Sequence, residues 1–182
     1  MKKLLYAIAF ISLNIFAQEK YLTKTGQVTF EASVPSFEEV KATNNSVTAI
    51  INSENGELAA LILVKGFRFK NALMEEHFNE NYAESDTYPK ATFKGKINNF
   101  SINKLSESTT RFNCSGMITF HGKTKSLEST PLNISISNDG NIIITGTFKT
   151  NASDYDIKIP KIVKSKISED IEVSFNFKLK KK

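Results

Sequence analysis

The last regular stretch of the chain sets the terms for the rest. Ile171, Val173, Phe175, Phe177 and Leu179 alternate with Glu172, Ser174, Asn176 and Lys178. Successive side chains of an extended backbone leave on opposite faces, so this strand has one apolar and one polar side. The same period recurs upstream. Val28, Phe30, Ala32 and Val34 alternate with Gln27, Thr29, Glu31 and Ser33, and Phe112, Cys114, Gly116, Ile118 and Phe120 share a face, as do Ile142, Ile144, Gly146 and Phe148. Many strands with one apolar face each can bury them together by rolling into one antiparallel sheet. The chain is therefore read as all-β, a single antiparallel β-barrel of about eight strands whose last strand returns to the first and removes the exposed edges.

Two stretches stand outside that rule. Residues 1–17 begin with Lys2 and Lys3, followed by an apolar run over 4–16 that is short for a membrane span. This reads as a signal peptide cut after Ala17, leaving residues 18–182 as one domain, exported to the periplasm or secreted onwards. No second apolar run offers a transmembrane segment. Removing 17 of 182 residues leaves 165, enough for one barrel with a core. Without Lys2 and Lys3 there are 22 basic against 19 acidic residues, and a charge of +3 points to no nucleic-acid partner.

The second exception is residues 71–82, read as one short amphipathic helix. Asn71 can cap it, Glu75 and Glu76 follow near its positive end, and Leu73, His77, Phe78 and Tyr82 fall near one face. Such a helix is expected to cover an open end or side of the rolled sheet. The Tyr88-Pro89 pair then returns the chain to extended geometry, with Ala91, Phe93 and Gly95 alternating. A second helical turn is expected near 154–157.

Turns punctuate the strands. Asn44-Asn45 reads as a loop, Glu54-Asn55-Gly56, Gly122-Lys123 and Asn138-Asp139-Gly140 as hairpin turns, and the polar stretch 98–109 as a plain connection. Leu127 has odd parity while Leu132, Ile134 and Ile136 are even, which predicts a bulge near Thr130-Pro131. Residues 58–64 are apolar on both faces, so the outer one is expected to lie under the helix or a partner subunit, a possible homodimer.

Chemistry-bearing residues are few. Cys114, the only cysteine, lies on an apolar strand face and reads as a small buried hydrophobe. His77 and His121 have no metal-binding spacing; His77 is expected at the junction of helix and barrel, His121 at a hairpin end with its ring at the surface. Asp154 and Asp156 read as turn residues. No cofactor motif, phosphate loop or nucleophile elbow is present in the sequence.

Four segments, in this order, carry a resemblance: Gly26-Gln27-Val28-Thr29-Phe30, Asn71-Ala72-Leu73-Met74-Glu75-Glu76-His77-Phe78, Tyr88-Pro89-Lys90-Ala91-Thr92-Phe93 and Gly116-Met117-Ile118-Thr119-Phe120-His121-Gly122-Lys123-Thr124-Lys125. Across essentially the whole mature chain the sequence resembles the YceI-like family of exported bacterial proteins. That resemblance implies a lipocalin-like barrel and a long-chain lipid or polyisoprenoid as ligand, held without an enzyme's covalent chemistry. Many relatives carry an arginine late in the chain, where residues 149–153 here have none, so no head-group role is carried over to that place.

The expected ligand wall combines strand and helix positions: Phe30, Phe67, Phe69, Leu73, His77, Phe78, Phe93, Phe112, Ile118, Phe120, Ile144, Phe148 and Tyr155. A barrel of about eight strands can either fill itself or hold one ligand. The same phenylalanines therefore fit a solid barrel acting through its surface. An enzyme acting on an isoprenoid is the third reading, and it requires His77, His121 or Asp154 beside the ligand head.

Overall fold

The computed structural model of the chain describes residues 19–182. The signal peptide read over residues 1–17 lies outside the described residues. Nine strands follow in order: β1 (Lys20–Ser33), β2 (Lys41–Asn52), β3 (Glu57–Leu63), β4 (Arg68–Phe69), β5 (Lys90–Ile97), β6 (Thr110–Phe120), β7 (Lys123–Ile136), β8 (Ile142–Asn151) and β9 (Ile167–Lys181). They pair in the order β1-β9-β8-β7-β6-β5-β3-β2, every ladder antiparallel, and β1 also pairs with β2. The sheet is thus a closed eight-stranded barrel, with two-residue β4 added beside the start of β2. Among the described residues no helix is long and apolar enough to cross a membrane.

The hairpins form where the backbone can take positive φ. His121 (φ 48°) and Gly122 (φ 70°) occupy the two central places of the β6–β7 turn, a pair of left-handed residues that matches the right-handed twist of the strands they join. The parity change in β7 is real. Cys114 faces Thr130 and Gly116 faces Leu127, so Glu128 and Ser129 together oppose Ser115. Ser129 takes φ 53° and its N–H donates to Ser115 Oγ at 3.2 Å. This bulge lies just ahead of its expected place, and it lets Leu127 and Leu132 both face inward while bending the strand.

Two readings of the connections need correction. Asn44-Asn45 is not a turn but lies inside β2. Asn44 is fully buried; its Oδ1 accepts from the N–H and Oγ of Ser46, both at 2.9 Å, and its Nδ2 donates to the Leu63 carbonyl at 2.9 Å. The amide therefore substitutes for ladder bonds that the irregular β1–β2 register leaves unmade. Nor is 98–109 a plain connection: Phe100, Ile102 and Leu105 pack against the core, Phe100 lying 6.0 Å from Phe112 ring to ring.

That packing divides the barrel. At the end closed by 98–109, Ile51, Ile97, Ile134, Ile142, Ile144 and Leu179 are at most 1% exposed and fill the lumen. At the other end sits α1 (Ala72–His77), continued by a π-helical turn (Phe78–Tyr82). The helix spans this end rather than the outer face of β3, where Leu61 and Leu63 stand 36% and 52% exposed in the single chain. The expected second helical turn is 3₁₀, Ala152–Tyr155, ended by Asp156 in the left-handed conformation.

Truncation should separate the two ends. Ile144→Ala is expected to lose about 2–5 kcal/mol in urea unfolding, the cost of a cavity in a filled core. Leu73→Ala, at a side chain 56% exposed, should stay within about 0.5 kcal/mol of the parent. Equal losses would contradict the division.

Candidate functional site

The half of the barrel beneath the helix encloses a cavity of about 590 Å³. Its wall is built from alternate residues of the strands: Val28, Phe30 and Ala32 of β1, Leu58, Ala60 and Ile62 of β3, Ile118 and Phe120 of β6, and Ile171, Val173 and Phe175 of β9. Leu58, Cys114, Leu132 and Phe177 mark its floor, since Ile51, Ile144 and Leu179 in the layer beneath do not reach it. Glu38, His77, Lys166 and Ser168 come from the elements around the opening, and along the strands Thr92, Thr130 and Thr150 add only hydroxyls. The interior can therefore take an apolar body, while hydrogen-bonding capacity is concentrated at the mouth.

Glycines explain how so aromatic a lumen stays hollow. Phe175 pairs across the sheet with Gly146, and a Cβ on Gly146 would stand 2.5 Å from the tip of the Phe175 ring. A Cβ on Gly26 would meet the Phe177 ring at 2.7 Å, and one on Gly116 the Phe93 ring at 2.7 Å. Each ring lies along the wall over a residue without a side chain instead of standing into the lumen. Phe175 and Phe177 stack on each other as well, 5.2 Å between centroids and 26° between planes.

The mouth is held by local chemistry. Asn71 caps α1 by accepting the Leu73 N–H at 2.9 Å. Glu75 anchors the helix to β4, one carboxylate oxygen accepting from Arg68 Nη1 at 3.0 Å and the other from the Phe69 N–H at 3.2 Å. Met74, Phe78 and Tyr82 thereby face the cavity at four-residue intervals. Phe78 packs 5.1 Å from Phe30, 5.8 Å from Phe67 and 5.3 Å from Phe69, a cluster of four rings at the rim.

Across the mouth, Asp154 fixes the 3₁₀ turn. Its Oδ2 accepts from Lys125 Nζ, from Thr150 Oγ1 at 3.1 Å and from the Asn151 N–H at 2.8 Å. The bond from the Lys125 ammonium, with the Asn151 amide, holds the Asp154 carboxyl below its ordinary range. Tyr155 is buried against Phe120, 5.5 Å between rings, and burial raises its phenol. The His121 side chain is 10% exposed, not at the surface as expected from sequence. Its Nδ1 donates to the Tyr155 carbonyl at 2.8 Å; since a carbonyl only accepts, Nδ1 must carry the proton. Tyr88 packs on the same ring at 4.5 Å, and Glu84 Oε1 lies 3.4 Å from Nε2.

Ten of the thirteen residues read from sequence line the cavity: Phe30, Phe67, Phe69, His77, Phe78, Phe93, Ile118, Phe120, Phe148 and Tyr155. Three do not. Leu73 points to solvent because Met74 takes the inward face of the helix, and Phe112 and Ile144 are buried in the filled half. The sequence reading missed Phe175, Val173 and Ile171, whose alternation was plain but whose level in the barrel was not, and the apolar Ile157, Ile159 and Val163 of the segment before β9. Cys114 is a floor residue whose thiol burial pushes up to about 11, which leaves it protonated and unreactive at neutral pH. His121 and Asp154 lie outside the cavity lining and His77 within it. No group of three or more His, Cys, Asp or Glu able to hold a metal occurs among the described residues.

Comparison with known proteins gives the geometry a setting. The family described as YceI-like domain matches residues 21–179. Among curated proteins nothing matches. Of solved structures, a polyisoprenoid binding domain from Saccharophagus degradans, implicated in plant cell wall breakdown, superposes with a TM-score of 0.77 at 17% identity, covering 90% of this chain and 98% of that one. BcnA of Burkholderia cenocepacia gives 0.65 at 15% identity over 85% and 94% of the two chains, and the YCEI protein of Campylobacter jejuni 0.60 at 16% over 82% and 88%. At these identities the likeness is one of fold.

The Asp154 anchor has a pH signature. Its carboxyl titrates lower in the folded chain than the unfolded value of about 3.9, so its stabilisation is present above about pH 4 and is lost as pH falls through the folded value. Asp154→Asn should flatten the acid limb of melting temperature against pH. An unaltered limb would show that the carboxylate does not anchor the turn.

Proposed function

The chain belongs to the YceI-like domain family, and on that premise we propose that its barrel holds a long-chain apolar or amphiphilic molecule, a polyisoprenoid or another lipid, for carriage, storage or sequestration. The tail lies in the hollow half and the polar end at the mouth. The observation that carries this reading is the 590 Å³ cavity, walled mainly by apolar side chains, with Glu38, His77, Lys166 and Ser168 around its opening. The polyisoprenoid binding of the Saccharophagus degradans domain is consistent with it. Export to the periplasm through residues 1–17 belongs to the same proposal.

Size and energy agree on the class of ligand. At roughly 30 Å³ per water-sized group, the cavity has room for about 20 carbon atoms. Each buried methylene contributes about 0.8 kcal/mol, against an association cost of about 4–15 kcal/mol. A tail of a few carbons would not offset that cost, whereas ten or more would, with no strong polar contact required. A polyisoprenoid much longer than the cavity would leave its remainder outside the mouth. Binding, not catalysis, is the proposed role: Cys114 is protonated, Asp154 is committed to a structural ion pair, and His121 spends Nδ1 on the Tyr155 carbonyl.

Native mass spectrometry of the protein isolated from its own source, followed by organic extraction, should show one adduct with a long hydrocarbon tail. Affinity for added fatty acids or isoprenoids should climb with tail length and level off near 20 carbons. Gly146→Ala, which displaces the Phe175 ring into the lumen, should bring that plateau to shorter tails. A flat series from short to long, with a clean apo mass, would leave the barrel to act through its surface.

A further inference from the structure

The segment before β9, residues 157–166, reads Ile-Lys-Ile-Pro-Lys-Ile-Val-Lys-Ser-Lys and contains four lysines and no acid. Its apolar side is used: Ile157, Ile159 and Val163 line the cavity mouth. Its outer side is unusual. Val163 N–H donates to the Pro160 carbonyl at 3.0 Å, which places Lys161 and Ile162 at the tip of a turn. Turn tips favour Gly, Asn, Asp or Ser, yet here a β-branched isoleucine stands 87% exposed. Lys158, Lys161, Lys164 and Lys166 are all exposed, and among the described residues Lys164 alone has a carboxylate within 4 Å, Glu169 at 3.6 Å. The neighbouring loop adds Phe37, 48% exposed, and adjoins this segment because Ser33 at the end of β1 pairs with Ile167 at the start of β9.

We infer that this corner of the rim is a docking surface for an anionic lipid bilayer, with Ile162 and Phe37 entering the interface and the lysines meeting the head groups. Basic charge around an exposed apolar tip is the combination that an anionic membrane surface binds, and neither half is explained by the barrel's own packing. The exposed Leu61, Leu63 and Met117 stand on the outer wall, on β3 and β6, and neither strand adjoins the β8–β9 connection that carries the lysines. The position at the mouth matters because a tail insoluble in water has to pass from a bilayer into the cavity without crossing solvent, so this inference rests on the lipid reading above. Glu76 and Glu80 belong to the helical segment between β4 and β5, whereas residues 157–166 join β8 to β9. The approach is therefore tilted, basic corner first.

The test is flotation of residues 19–182, which hold the whole closed barrel, with vesicles of phosphatidylglycerol and phosphatidylcholine or of phosphatidylcholine alone. Binding should favour the anionic vesicles and weaken with added salt. The double variant Lys158→Gln, Lys161→Gln should bind them about 25-fold more weakly, at roughly fivefold per lysine, and Ile162→Ser should weaken binding further. Met117→Ser, on the outer wall, should not. None of these four side chains lines the cavity, so uptake of a fatty acid from detergent solution should be the same in all variants. Equal binding to both vesicles, no binding, or an unaffected lysine variant would overturn the inference. So would a matching loss of detergent uptake in that variant, which would assign the lysines to the ligand head. Vesicle binding without any fatty-acid uptake would uphold the docking surface and remove the cavity reading alone.

Discussion

The ladder between β1 and β9 is the contact on which everything else depends. Without it both strands would be open edges, each with unpaired backbone groups along a long, twisted strand. With it, the inward faces of eight strands meet across one lumen, and a sequence whose only persistent order is alternation acquires an inside. The ladder is uneven, with breaks between Leu22 and Gln27 and between Glu31 and Ser33. It nevertheless holds at both ends: Tyr21 faces Lys181 at the filled end, and Ser33 faces Ile167 at the mouth.

Closure alone does not decide whether a lumen is solid or hollow; that is set by what occupies each level. At the filled end, branched aliphatic residues project from neighbouring strands at matched heights, Ile134 beside Ile144 and Ile142 beside Leu179, and Phe100 seals them from below. One level up, the cross-strand partner of Phe175 is Gly146, and the space that a side chain would take goes to the ring. A filled half and a hollow half thus occur in one barrel, stacked along its axis.

Alternation made the strands, their inward faces and the β7 parity break legible, because these depend only on neighbours two residues apart. The Asn71 cap was legible for the same reason. What escaped depends on partners distant in sequence. Asn44-Asn45 has the composition of a turn, and only the Leu63 carbonyl, nineteen residues away, makes a buried strand of it. Leu73 was read on the inward face, but the Glu75 anchor to β4 fixes the rotation of the helix and turns Met74 inward in its place. Phe112 and Phe120 are indistinguishable by pattern, yet one is buried in the filled half and the other lines the cavity, since height along the barrel is a matter of register. His121 looked like an exposed hairpin tip because Tyr88 and Tyr155, which enclose it, come from two other segments.

The pairing of the first strand with the last also orders events in time. β1, β2 and β3 form a continuous meander that can assemble as soon as it is made, but the remaining edge of β1 has no partner until β9 arrives. The Lys182 N–H donates to the Lys20 carbonyl at 2.9 Å, so the closing contact spans almost the entire described chain. Contacts of such long range make folding slow, because the loop entropy is lost before the pairing returns anything. A polypeptide built this way stays incomplete while it is being made, and acquires its interior only when β9 has emerged to pair with β1.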